Sequence, residues 1–399
     1  MARLEFQNLT FDEKGDKIGV SLLLSFYFEI PRKELDKIGL KKVEPHALEF
    51  EGDEEHKFGF IMSKYMPNLI HKINQRPTTY VHMNSGIPLM GSLYFGITDK
   101  GTNILELKPN TGCNVACIFC SVGEGKEGRR SHDFVVECDY MLEETRKLVE
   151  FKTADYEGEI DIYINPHGEP LLYADTVRLV EGLRAIKKVG KIIIITNGTL
   201  LTESMVKKLE KAGLTQFNIS FSALDLKRAH ELMGTTAYNA DKVKEMIKYI
   251  STSSKVKVAI TPVYLHKIND DEIEKIIEFS KEIGCKNIGI QNFLINRRGK
   301  KPAKELSWDK FYEKLAEWEN KYGVTLTADL TMDQTREYKK PFKRGESINA
   351  HIVCDGRADN EKIAVAESRC ILVPNCSKDR KVKLKITKAN HNLFVGEVI

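Results

Sequence analysis

The stretch Thr111-Gly112-Cys113-Asn114-Val115-Ala116-Cys117-Ile118-Phe119-Cys120 decides how the rest of this chain is read. Its cysteines are spaced C-x3-C-x2-C after an apolar run, and no further cysteine follows at cluster spacing. Three thiolates so placed can hold three irons of a [4Fe–4S] cube and leave the fourth iron open. An open iron can bind a substrate or cofactor directly, whereas a cluster with four thiolates usually passes electrons. Two blander readings stand beside this one. Zinc loops favour paired C-x2-C knuckles with four ligands, which this loop lacks. Three unrelated buried thiols would behave as small core hydrophobes.

The triad, with the aromatic Phe119 before its last cysteine, resembles the radical S-adenosylmethionine (SAM) superfamily. The resemblance implies that Cys113, Cys117 and Cys120 ligate the cluster and that its open iron takes the amino and carboxylate groups of SAM. Reduction then cleaves SAM to a 5′-deoxyadenosyl radical, which calls for an electron donor such as ferredoxin or flavodoxin.

Bulk properties agree with a reduced, cytoplasmic setting. A length of 399 residues suggests two or three domains with ample core, and the eight cysteines are scattered rather than arranged as a disulfide framework. No N-terminal stretch resembles a signal peptide, and no run approaches the roughly 20 apolar residues that span a bilayer. The net charge of +4 does not by itself establish a nucleic-acid partner, although local basic segments can.

Downstream of the triad, short β-branched runs alternate with helical patterns. Strands are expected at Asn103–Leu107, Ile160–Ile164, Lys191–Thr196, Gln216–Ser222, Val256–Thr261 and Asn287–Asn292. Helices are expected at Met141–Phe151, Tyr173–Lys188, Thr202–Ala212, Ala240–Ser251 and Asp270–Ile283, where apolar residues recur at three- and four-residue intervals. Such alternation reads as a parallel sheet with crossover helices. The fold class is α/β, and the resemblance implies a partial (β/α)6 barrel of the radical SAM type.

Ligands gather at the C-terminal strand ends of such barrels. Pro166-His167-Gly168-Glu169-Pro170 follows the second strand, and the resemblance makes Gly168, Glu169 and Pro170 a contact for the SAM amino group. Alone, Gly-Glu-Pro is ordinary turn chemistry. Thr196 and Asn197 end the third strand in another segment similar to the superfamily; Asn197-Gly198 is equally a turn, with Thr202 as helix cap. Ser220 and Ser222, two apart and so on one face of the fourth strand, correspond to polar pairs that reach the SAM carboxylate and ribose; a solvated face is the alternative. Asp225–Gly234 suggests a short helix, with His230 a packing or surface residue. Gln291 is a possible SAM or substrate contact at the sixth strand, near Asn292, Arg297 and Arg298, where a surface basic run is the default.

From Arg344 the chain reads as short strands: Ser347–Cys354, Lys362–Ala366, Cys370–Val373, Lys381–Thr387 and Leu393–Val398. Lys381-Val382-Lys383-Leu384-Lys385-Ile386-Thr387 alternates strictly, so its lysines share one face, either a solvated face or a basic wall. Arg344–Ile399 resembles a TRAM domain, a small OB-like RNA-binding barrel. That resemblance implies phosphate contacts from Arg380, Lys381, Lys383, Lys385 and Lys388, with His391 and Phe394 stacking on a base unless Phe394 is core. Cys354, Cys370 and Cys376 lack a close pair and read as structural thiols before an auxiliary cluster. Cys138 and Cys285 read as isolated buried residues.

The expected organisation is an N-terminal accessory domain over 1–100, a radical SAM core over 101–300, a helical extension and linker over 301–343, and the TRAM-like β-barrel over 344–399. The first segment suggests a hairpin around Asp16–Phe28 and an amphipathic stretch near Met62–Ile73. It holds no cysteine before Cys113, which argues against a close copy of methylthiotransferases that pair such a core with TRAM. The leading expectation is a radical SAM enzyme that modifies RNA, tRNA foremost. A radical SAM enzyme acting on a metabolite, lipid or polypeptide is the first alternative, and a noncatalytic RNA-binding iron–sulfur protein the second.

Overall fold

β-branched runs buried on both faces build the centre of the molecule. In the computed structural model, which describes residues 2–123, 130–296, 298–327 and 332–399, six strands form one sheet. They are β1 (Gly96–Asp99), β2 (Ile104–Lys108), β3 (Ile160–Ile164), β4 (Val189–Thr196), β5 (Gln216–Ile219) and β6 (Lys257–Ile260), in the order β6-β5-β4-β3-β2-β1. β2 to β6 run parallel, and β1 is antiparallel at the edge. Parallel neighbours need crossovers, supplied by α1 (Cys138–Lys152), α2 (Thr176–Arg184), α3 (Glu203–Ala212), α4 (Leu226–Met233) and α5 (Ala240–Ser253), while α6 (Asp270–Glu282) follows β6. Ile162, Ile164, Ile192, Ile194, Phe217, Ile219 and Ile260 are fully buried between helices and barrel interior. Side-chain caps start three helices: Thr202 accepts from Met205 N–H at 3.2 Å, Asp225 from Arg228 N–H at 2.9 Å and Asn239 from Lys242 N–H at 2.9 Å. Each cap satisfies an otherwise orphan amide of the first turn and fixes where the loop ends.

Three elements depart from the sequence expectation. The fourth strand stops at Ile219, where Ser220 N–H donates to Thr196 O at 2.8 Å and the chain leaves the ladder. Ser220 and Ser222 therefore lie beyond the strand, and the shared-face argument does not apply to them. The sixth strand is reduced to Gln291–Asn292, paired with Val263–Tyr264, while Ile288 meets Ile260 as a single bridge. Pro262, which has no N–H to give, interrupts the ladder between Ile260 and Val263. The second helix begins at Thr176 because Pro170–Leu172 first forms a tight 3-10 turn.

The first hundred residues contribute two antiparallel sheets. One holds Ala2–Glu5, Ala47–Phe50 and Leu40–Glu44; the other holds Leu9–Lys14, Lys17–Leu22, Phe26–Pro31 and Ile70–His71. The hairpin is present as Lys17–Leu22 against Phe26–Pro31. The amphipathic element is earlier than expected, a helix over Glu55–Tyr65 whose Phe58, Ile61 and Met62 are buried. It gives way at Met66, the residue before Pro67, as the restriction on pre-proline backbone predicts. Thr78–Val81 then pairs in parallel with Asp133–Val136 and ties this region to the core.

After α7 (Trp308–Tyr322) come β7 (Ser347–Asp355), β8 (Lys362–Ala366), β9 (Arg369–Val373), β10 (Lys381–Asn390) and β11 (Leu393–Val398), a closed barrel in the order β7-β8-β9-β11-β10. Ala350, Ile371, Val373, Leu384, Ile386 and Phe394 fill it. β9 is buried along its whole length because its outer side packs on the rest of the protein. Cys370 N–H donates to Met90 O at 2.8 Å, and Phe394 N–H to Gly91 O at 3.1 Å.

Candidate cluster and SAM site

The cysteine loop and the Gly-Glu-Pro loop meet just past the C-terminal ends of β2 and β3. Thr111–Gly112 and His167–Gly168 form a two-residue parallel ladder, Thr111 opposite His167 and Gly112 opposite Gly168. Glu169 N–H then donates to Gly112 O at 2.9 Å. The approach leaves no space for a side chain, since a Cβ on Gly168 would lie 2.0 Å from Gly112 O.

On its other side the cysteine loop rests on the end of α4. Ala116 N–H donates to Met233 O at 3.0 Å and Ile118 N–H to Leu232 O at 2.9 Å. Gly234, at φ +65°, permits this contact, because a Cβ there would lie 2.2 Å from Ala116 O. Lys300 Nζ donates to Ala116 O at 2.6 Å. Cys113, Cys117 and Cys120 are half-buried, and no disulfide joins the chain's cysteines. Cys117 Sγ lies 3.7 Å from Met233 Sδ, and Cys113 Sγ accepts from Asn197 Nδ2 at 3.8 Å. Burial, reinforced by neighbouring Cys120, pushes the Cys117 thiol up to about 12. Metal binding would have to displace that proton. Among the described residues no three His, Cys, Asp or Glu side chains stand close enough to hold one metal ion. A four-iron cube makes a different demand, because each thiolate takes its own iron.

Glu169 is buried beside this loop. One carboxylate oxygen accepts from Thr196 Oγ1 at 2.6 Å and Leu171 N–H at 3.0 Å; the other accepts from Asn197 N–H at 2.9 Å. Burial pushes the carboxyl up to about 7, and these donors pull against it. Pro170 opens the turn that aims Leu171 N–H at its own neighbour's side chain. Thr196 and Asn197 are thus brought to Glu169 and Cys113. Ser220 reaches the same strand end through its main chain, and Ser222 is buried with its hydroxyl accepting from Val263 N–H at 3.2 Å. Gln291 is not brought into this group: it is exposed, and its N–H is used on Pro262 O. Arg297 lies outside the described residues, and Arg298 pairs with Glu361.

Five buried polar side-chain atoms find no partner among the described residues: Asn110 Oδ1, His167 Nδ1, the Tyr238 hydroxyl, the Thr261 hydroxyl and Asn292 Oδ1. Asn110 already donates to Glu169 O at 3.0 Å. Buried polar groups are rarely left unsatisfied, and a polar ligand seated here would supply partners. With the thiol loop alongside, the residues fit a cluster and SAM.

Several functional candidates were invisible in the sequence. Asp133 and Arg357, both fully buried, pair at 2.8 Å across 224 residues of chain. Nothing local marks either one. In the tail, Arg380, Lys381, Lys383, Lys385 and Lys388 are all exposed. Phe394 is core, packed edge-on against Phe342 at 5.2 Å between ring centres, which removes it as a stacking surface. Cys370 and Cys376 are buried, Cys370 Sγ lying 3.1 Å from Pro88 O, and with Cys354 they form no metal-ligating group among the described residues.

Comparison with known proteins agrees with this geometry. Residues 107–280 match the profile described as the Radical SAM superfamily. An uncharacterized protein of Methanocaldococcus jannaschii is 33% identical, covering 93% of this chain and 92% of its own length. A GTP 3′,8-cyclase of Thermodesulfovibrio yellowstonii is 29% identical over 60% of this chain and 70% of that protein. Among solved structures, TYW1 with a lysine–pyruvate adduct superposes with a TM-score of 0.41 at 20% identity, covering 57% of this chain and 76% of that one. No described helix is long and apolar enough to cross a membrane. The chain belongs to the radical SAM superfamily, enzymes that bind a [4Fe–4S] cluster and SAM.

Proposed function

We propose that this radical SAM enzyme modifies an RNA, tRNA foremost, with Cys113, Cys117 and Cys120 holding the cluster. Gly168, Glu169, Pro170, Thr196, Asn197, Ser220 and Ser222 surround SAM. When bound, cluster and SAM supply the 5′-deoxyadenosyl radical. The chain's own part is to orient SAM through Glu169 and to keep water away with the buried strand ends. We place the reaction in the reducing cytoplasm with ferredoxin or flavodoxin as electron source.

One observation carries the RNA reading: the outer face of β10. Lys381, Lys383, Lys385 and Lys388 are exposed along it and form no ion pair with a carboxylate among the described residues. Ser347, Asn349 and His351 of β7 lie directly opposite the first three. The barrel's strand order supports the OB-like TRAM reading, but the second and third strands, the usual ligand face of an OB fold, include the buried β9. The β7–β10 face is the one left open, and an unpaired row of lysines suits a phosphate backbone.

Retention of tRNA on the immobilised protein tests this. Binding should fall with salt at a log–log slope of about −3, as four or five phosphate contacts to single-stranded RNA predict. It should be lost in a Lys381→Glu/Lys383→Glu/Lys385→Glu variant. Retention unchanged by that variant would overturn the RNA reading. A free purine nucleotide is the second reading, favoured by the 29% identity to a GTP 3′,8-cyclase. In that case GTP, and not RNA, should stimulate SAM cleavage.

A further inference from the structure

The tail barrel meets the cofactor loops at one buried charged pair. Arg357 projects from the loop between β7 and β8 and is fully buried. Its Nη2 lies 2.8 Å from Asp133 Oδ1, its Nη1 donates to His167 O at 3.1 Å, and its Nε donates to His132 O at 3.4 Å. Asp133 Oδ1 also accepts from Thr111 Oγ1 at 2.8 Å, and Oδ2 accepts from Asn74 Nδ2 at 2.7 Å.

Thr111 and His167 are the opposed residues of the two-residue ladder. The pair therefore grips both of its strands, the carboxylate on the Thr111 side and the guanidinium on the His167 side. Cys113 lies two residues beyond Thr111, and Glu169 two beyond His167. So short a ladder has little stability of its own. Glu169 N–H to Gly112 O and Asn110 Nδ2 to Glu169 O bridge the loops beside it, and the clamp adds a charged pair that holds both strands from a third segment.

We propose that Arg357 is a positioning residue, which holds the cysteine loop and the Gly168-Glu169-Pro170 loop at the spacing SAM must bridge. The tail barrel thereby completes the cofactor site, whatever substrate its outer face binds. The proposal rests on the cluster and SAM assignments above and not on the RNA reading. A forked, planar donor is required, because one group must serve Asp133, His167 O and His132 O together.

The test uses Arg357→Lys in the full-length protein, reconstituted anaerobically and assayed without RNA. Lysine keeps the charge opposite Asp133 but has no fork. Iron content and melting temperature should stay close to wild type. SAM affinity should weaken about tenfold, the usual cost of losing an outer-shell contact, so the SAM-induced change in the EPR spectrum of the reduced cluster should need about tenfold more SAM. Wild-type affinity and an unshifted SAM dependence of the spectrum in the variant would overturn the proposal. If Arg357→Lys does not fold, Thr111→Val releases the same clamp from its other side without stranding a charge, and the same two outcomes decide. A wild-type cluster whose spectrum ignores SAM would overturn the site assignment, and this proposal with it.

Discussion

At the scale of single residues, the proposed SAM contact of Glu169 predicts how cofactor binding depends on pH. Its carboxyl is raised by burial to about 7 despite three chain donors. In the proposed site the Glu169 carboxylate accepts from the SAM amino group, so affinity should fall as pH drops below that value, by about tenfold per unit once the acid form dominates. Equilibrium binding from about pH 8 to about pH 6 checks this, and a flat profile contradicts it. The sign reverses for the stability of the SAM-free chain. A carboxyl raised when folded favours the protonated folded state, so its contribution improves as pH falls from about 7 towards its ordinary value of 4.5. Gly168 is the second decisive residue. Gly168→Ala puts a methyl 2.0 Å from a main-chain oxygen, so the two loops must part. The expected cost is about 1–3 kcal/mol of stability together with loss of SAM binding, readable by thermal melts and titration; a variant that keeps both contradicts the close approach.

At the scale of elements, a buried ion pair fastens α1 to the sheet. Lys152 Nζ lies 2.7 Å from Asp99 Oδ1 with both side chains fully buried, and Asp99 Oδ2 accepts Tyr338 N–H at 3.1 Å. Lys152→Met should strand the Asp99 charge and cost about 3–5 kcal/mol in denaturant unfolding. Lys152→Met with Asp99→Asn should recover part of it, and a loss below about 1 kcal/mol in the single variant would contradict the pairing. β10 shows what local pattern can and cannot say. Strict alternation correctly sends Lys381, Lys383 and Lys385 outward, but carried one step further it would turn Lys388 inward. A bulge between Ile386 and Lys388 resets the register and exposes it. β3, β8 and β11 match their expected limits, because apolar runs bounded by turns declare themselves locally. Ser220 and Ser222 were misplaced because the end of a strand is set by its neighbours, here Thr196 O and Pro262, rather than by its own residues.

At the scale of the whole molecule, the chain resolves into a radical SAM core clasped by what precedes and follows it. Asn74 from the first hundred residues and Arg357 from the tail reach the same carboxylate, Asp133, beside the cysteine loop. The cysteine triad and Gly168-Glu169 were legible because each motif is a few residues long with its chemistry in its spacing. Asp133 and Arg357 were not, because their partnership exists only after three distant segments have packed. That packing also anchors the barrel that carries the exposed lysines beside the cysteine and Gly168-Glu169-Pro170 loops. The measurement that tests the central claim most directly is mass spectrometry of nucleosides after anaerobic incubation of the reconstituted protein with SAM, dithionite and total tRNA. The account predicts 5′-deoxyadenosine together with a nucleoside of altered mass that is missing from a Cys117→Ala control. Formation of 5′-deoxyadenosine with every nucleoside unchanged would contradict it.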